Sequence, residues 1–210
     1  MPTSPSPSTA ASSLGVEAVS EALYNSVSRH HAQIGSSVPR HELKRLENRL
    51  IDESKALYHE HKWEEAMATF AQLLAVIEKT HEDADYATRG AIVNNIGSCL
   101  HNLGEHEAAR AYYQAAVEAF EKTHTPIVDR LFFGDVNRRR IDWVKSRLVD
   151  LSWGARPEEG FYLDGNGIRR KAPAARGPAP AAKLSPEWAD RMSAPPTEHR
   201  PAWMQVAQDE

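Results

Sequence analysis

A four-residue run in this chain recurs in register with the residues around it. Glu78-Lys79-Thr80-His81 returns as Glu121-Lys122-Thr123-His124, at an offset of 43 residues. The same offset carries Glu64 onto Glu107, Ala66 onto Ala109, Phe70 onto Tyr113, Leu74 onto Val117 and Leu50 onto Val93. A single short match arises by chance, but a match in phase with small, aromatic and aliphatic positions marks a duplicated structural unit. A hairpin of this length cannot bury its apolar face alone and is stable only when stacked on neighbours.

The matched positions have a physical logic. Ala66 and Ala109 fall where the second helix of a hairpin presses closest on the first, and only a small side chain permits that approach. Phe70 and Tyr113, four residues on, share that face one turn later. Gly97 gives close contact from the first helix. Gly104 ends that helix in the left-handed conformation.

Apolar spacing extends the helical reading along most of the chain. Val16, Val19, Leu23, Val27 and Ile34 predict a helix over 14–34, broken by Gly35-Ser36-Ser37. Pro39 suits the first turn of a second helix, with Ser36 or Ser37 available as cap. Leu43, Leu46, Leu50 and Leu57 form its stripe to His61. Further helices are expected over 63–79, after Asp85, over 105–122 and over 126–151, the last with Phe133, Val136, Val144, Leu148 and Leu151 as its stripe. Residues 1–13 are Ser, Pro, Thr and Ala around little else, and are expected to be disordered. Residues 152–171 read as two short extended pieces about Asp164-Gly165-Asn166-Gly167, or as a loop pinned by its aromatics. Residues 172–210 hold more than half of the 13 prolines and read as an extended tail without a core of its own. The fold class is therefore all-α: about six helices in antiparallel hairpins over 14–151, with a disordered N-terminus and an extended C-terminal tail.

Ile96-Gly97, Leu100, Gly104, Ala109, Tyr113 and Ala116 resemble the tetratricopeptide repeat. Val93-Asn94-Asn95-Ile96-Gly97 and the long period are similar to the kinesin-light-chain subtype. The earlier copy keeps Leu57, Trp63, Ala66 and Phe70, but has Glu53-Ser54 where the family has Leu-Gly. The resemblance covers repeats at about 47–81 and 90–124. The flanking helices 14–34 and 126–151 do not keep the pattern and are expected to close the core. The resemblance implies a concave groove lined by the first helix of each repeat, here Asn48, Ile51, Lys55 and Tyr58, then Asn94, Asn95, Ser98 and His101. A groove asparagine can pair with both the N–H and the C=O of an extended peptide. The alternative is that Asn94 or Asn95 bonds only to a neighbouring helix. The family's carboxylate-clamp class is a poor match. Asn95 fits it, Ile51 and Lys55 do not follow the required order, and a third repeat is missing.

No catalytic constellation is evident, and neither a cofactor nor a metal is expected. His59 and His61 point to different faces of a helix, as do His30 and His31, so these read as solvated histidines; Cys-x-x-Cys and His-Glu-x-x-His are absent. Cys99, the one cysteine, reads as a small core residue. A net charge of −4 gives no argument for nucleic acid. No apolar run approaches the length of a membrane span, and the N-terminus has no secretory pattern, so a cytoplasmic setting is expected.

Arg138, Arg139 and Arg140, with Lys145 and Arg147, read as one basic helix face, either solvated or set against an acidic partner such as tubulin tails or a nucleic acid backbone. Arg169-Arg170-Lys171 adds a second basic cluster. In the tail, Trp188 with Met192 and Trp203 with Met204 read as docking anchors for a partner, with folding back onto the groove as the alternative. Ser185 suits a helix cap and Pro186 the first helical position. The expectation is a non-enzymatic adaptor or structural subunit of a larger protein assembly, cytoskeletal or ciliary in character. The alternative is a regulatory accessory protein of an enzyme or chaperone complex, with a tail that blocks its own groove.

Overall fold

The computed structural model describes residues 15–35, 38–80, 86–123, 135–152, 161–163, 169–171 and 183–193. Within them the fold is all-α, with one short two-stranded ribbon. The helices are α1 (Val16–Ile34), α2 (Arg40–His59), α3 (Trp63–Thr80), α4 (Tyr86–Asn102), α5 (His106–Glu121), α6 (Val136–Ser152) and α7 (Pro186–Ser193). Residues 1–13, the start expected for the 126–151 helix with Phe133, and Trp203 and Met204 lie outside the described residues.

The duplication read from sequence is repeated in the backbone. α2 closes at His61, with φ 59°, and α4 closes at Gly104, with φ 80°. These two left-handed residues stand at the same offset as the rest of the repeat. His61 N–H donates to Tyr58 O at 3.2 Å and Lys62 N–H to Leu57 O at 3.0 Å. The counterparts are Gly104 N–H to His101 O at 3.1 Å and Glu105 N–H to Leu100 O at 2.9 Å. Both pairs satisfy the last carbonyls of a helix in the Schellman manner. The far ends match as well: Thr80 Oγ1 donates to Val76 O, and Thr123 Oγ1 to Ala119 O, each at 3.1 Å.

The second hairpin is held by the small-against-aromatic contact expected of it. A Cβ added to Gly97 would lie 2.9 Å from Tyr113 Cδ1, so α4 and α5 approach as closely as they do only because that position lacks a side chain. In the first hairpin the same place is taken by Ser54. It is buried and turns its hydroxyl back to Ile51 O at 3.0 Å, so its polar atom is satisfied within its own helix. Ala66, Ala109 and Tyr113 are fully buried. Pro39 precedes α2 as its N-terminal flank, and its carbonyl accepts from Glu42 and Leu43 N–H.

The α2–α3 and α4–α5 hairpins stack through α3 and α4. α1 lies across the second helices of both, α3 and α5, burying Val19, Ala22, Leu23 and Ile34. α6 packs on α5 and touches α4, burying Trp143, Val144 and Leu151. Strand β1 (Phe161–Leu163) pairs antiparallel with β2 (Arg169–Lys171), and β1 lies against α4. α7 packs on α1, and Leu184, Trp188 and Met192 join the common core. The tail thus contributes three buried side chains, where sequence suggested a segment without a core of its own.

Candidate functional site: the α4 face and the docked tail

Four of the eight groove residues lie on α4, and the structure turns all four inward. Asn94 is fully buried, Ser98 and His101 nearly so, and Asn95 is 6 % exposed. Because the Tyr113 ring lies against Gly97, its hydroxyl reaches the next turn of α4. It donates to Ser98 Oγ at 3.3 Å and stands 3.4 Å from His101 Nδ1. Tyr58, at the end of α2, lies within reach of the same Ser98, which favours its charged form. Ser98 and His101 therefore join α2, α4 and α5 inside the stack. Asn94 Nδ2 donates to Asn95 Oδ1 at 3.3 Å, while Asn94 Oδ1 is buried without a hydrogen-bond partner. On α2, Asn48 is exposed, Ile51 and Lys55 are half-buried, and Tyr58 is buried with its ring 4.9 Å from that of Trp63. The eight residues do not form one open surface.

Burial governs the acid–base character of this cluster. It drives the Tyr58 phenol and the Cys99 thiol well above their ordinary ranges and pushes Tyr113 up to about 12. Removing a group from water disfavours its charged form, so these three groups stay neutral at physiological pH. Arg147 is close enough to pull both phenols the other way. The His59 imidazole is held below its usual value by burial and by His61 and Lys55. His61 is half-buried with both ring nitrogens shielded, its ring 5.0 Å from that of Trp63, which corrects the reading of these two as solvated.

The basic face is smaller than the sequence suggested. Arg138 and Arg139 are exposed. Arg140 is half-buried, lies 5.6 Å over the Phe120 ring and donates to Asn137 Oδ1 at 2.8 Å. Arg147 is not on that face. It is 2 % exposed, lies 4.9 Å over the Trp143 ring and pairs with Asp150 at 3.8 Å. The available signal was its spacing, three residues after Val144 and four before Leu151. That places it on the apolar stripe.

The described pair of tail anchors, Trp188 and Met192, is seated within the chain. Trp188 is 1 % exposed and Met192 4 %, packed with Leu184 against α1. At the start of α7, Glu64 gathers three donors: Ser185 N–H at 2.5 Å, Ser185 Oγ at 3.1 Å and Arg191 Nη2. Glu64 was visible in the sequence only as a repeat position. Its partner lies 121 residues away, and no local pattern links them.

Among the described residues, no group of three or more His, Cys, Asp or Glu is placed to hold a metal ion, and no helix is long and apolar enough to cross a membrane. The architecture defines an all-α protein of two duplicated hairpins closed by flanking helices. Comparison of the chain with models of protein families, with curated proteins and with solved structures finds no match.

Proposed function

We propose that this chain is a non-catalytic adaptor or structural subunit of tetratricopeptide type, which binds protein partners in a larger assembly. The observation that carries this reading is the duplicated hairpin with identical closure at His61 and Gly104. Stacked hairpins present extended helix faces, and such faces are what repeat proteins bind with. The accessible part of the candidate groove is on α2, at Asn48, Ile51 and Lys55. Arg138 and Arg139 offer a second, basic contact suited to an acidic surface such as a tubulin tail, in keeping with a cytoskeletal or ciliary setting.

Affinity purification with quantitative mass spectrometry tests the groove. Asn48→Ala with Lys55→Glu touches exposed and half-buried positions, so melting should stay within about 2 °C of wild type. Capture of the groove partner should fall by roughly tenfold, equivalent to about 1.4 kcal/mol. Unaltered capture sinks the groove assignment.

A second reading, a regulatory protein that blocks its own groove, is favoured by β1 lying against α4, the helix that carries Asn94 and Asn95. If this holds, replacing residues 161–171 by a Gly/Ser stretch of equal length raises partner capture. A fall or no change counts against it.

A further inference from the structure

We propose that Ser185 is a phosphorylation site whose modification ejects α7 from α1. The Glu64 clasp carries this inference, whatever the groove binds.

Ser185-Pro186 is the dipeptide on which proline-directed kinases act, and it sits where α7 is fastened. Ser185 flanks the helix N-terminus, and its carbonyl accepts Trp188 N–H at 3.0 Å. Its own N–H and hydroxyl both donate to Glu64, at 2.5 Å and 3.1 Å. Glu64 is the second residue of α3, and its side chain is 18 % exposed. The carboxylate is thus held in place by three donors, of which the Ser185 hydroxyl is one.

Phosphorylation inverts that contact. The γ-phosphoryl group of a nucleoside triphosphate passes to Ser185 Oγ, the hydroxyl proton is released, and the diphosphate leaves. The serine loses its donor and gains close to two negative charges. Those charges would stand within hydrogen-bond range of the Glu64 carboxylate. Among the described residues, Arg191 is the cation that reaches the clasp. It reaches Ser185 Oγ at 3.2 Å as well as Glu64, and its side chain is 63 % exposed. One exposed guanidinium cannot neutralise a carboxylate and a phosphate dianion together. The phosphate still favours α7 as a helix, because anions stabilise a helix N-terminus. What it opposes is the docking of that helix on α3 and α1.

The rest of the interface suits release. Trp188 Nε1 is buried without a hydrogen-bond partner, which weakens the docked state. Leu184, Trp188 and Met192 recur every fourth residue and are all buried on one side. Release thus frees a segment whose apolar side chains and aromatic anchor stand at helical spacing, able to fold as an amphipathic helix on a partner groove. A kinase needs the Ser-Pro segment lifted from Glu64, so it acts on the undocked population, and the phosphate then prevents return.

The test is hydrogen–deuterium exchange of the full chain, unmodified and carrying phosphoserine at 185. The modification is introduced with a proline-directed kinase and ATP and mapped by mass spectrometry. Expected is protection over 186–193 in the unmodified chain and a loss of about a hundredfold or more on phosphorylation. Protection in α2 to α5 should fall far less, by no more than the modest loss of global stability that undocking α7 brings. Glu64→Gln should restore much of the protection in the phosphorylated chain, since it removes the repulsion and keeps the shape. The proposal is overturned by any of three results: protection over 186–193 unaffected by the phosphate, loss that Glu64→Gln does not relieve, or a kinase that labels the isolated 180–193 peptide but never Ser185 in the folded chain.

Discussion

Two glycines at one hairpin are required for different reasons, and the difference is measurable. Gly104 has φ 80° and open space around the position of a Cβ, so Gly104→Ala should cost only the left-handed backbone, about 1–2 kcal/mol. Gly97 lies in mid-helix, where alanine gains about 1 kcal/mol of helix propensity. Against that gain stands the fully buried Tyr113 ring, 2.9 Å from the new methyl. Overpacking of this kind costs about 1–3 kcal/mol, so Gly97→Ala is expected to be net destabilising. Urea unfolding in a Tyr113→Leu background separates the two effects. There the Gly97→Ala penalty should vanish or reverse, while that of Gly104→Ala persists. An unchanged Gly97→Ala penalty would place its cause elsewhere than the tyrosine. Both glycines were legible in the sequence. The inward turn of Ser98 and His101 was not, because it depends on where the Tyr113 hydroxyl arrives after crossing Gly97.

Among the elements, α7 departs furthest from a local reading. Its eight residues lie in a Pro- and Ala-rich stretch and would not hold as a free helix, since isolated helices under about 12 residues are marginal in water. It persists because Leu184, Trp188 and Met192 are covered by α1 and Glu64 completes its first turn. A tail without core residues could be removed at no cost. This one cannot: deleting 183–210 should lower the melting temperature by several degrees, roughly 3–8 °C, with the helical signal of α2 to α5 retained. Circular dichroism melting of the truncated chain checks this, and an unchanged midpoint would mean that α7 adds nothing to stability.

At the scale of the whole molecule, α1 is the piece that ties the repeats together. It packs on α3 from the first hairpin and on α5 from the second. Leu23→Ala removes a nearly buried side chain at that junction and should cost about 2–5 kcal/mol. Both hairpins should then unfold in a single earlier transition, seen alike by far-ultraviolet dichroism and by tryptophan emission. Two separated transitions would show that the hairpins are stable apart.

The sequence by itself determined the hairpins: their period, their helical spacing, and the glycine and alanine positions that let them close. Those are local properties, set by helix geometry and by which side chains fit between two helices joined by a short turn. Only the tertiary structure decided what covers each remaining face. It laid α1 across both hairpins, drew Arg147 inside, turned Asn94, Ser98 and His101 away from solvent and seated Trp188 on α1 through Glu64. Helical spacing tells which side of a helix is apolar but not which distant element will bury it. A polar residue on such a face is exposed or internal according to that partner, and the partner is chosen by contacts between residues far apart in the chain.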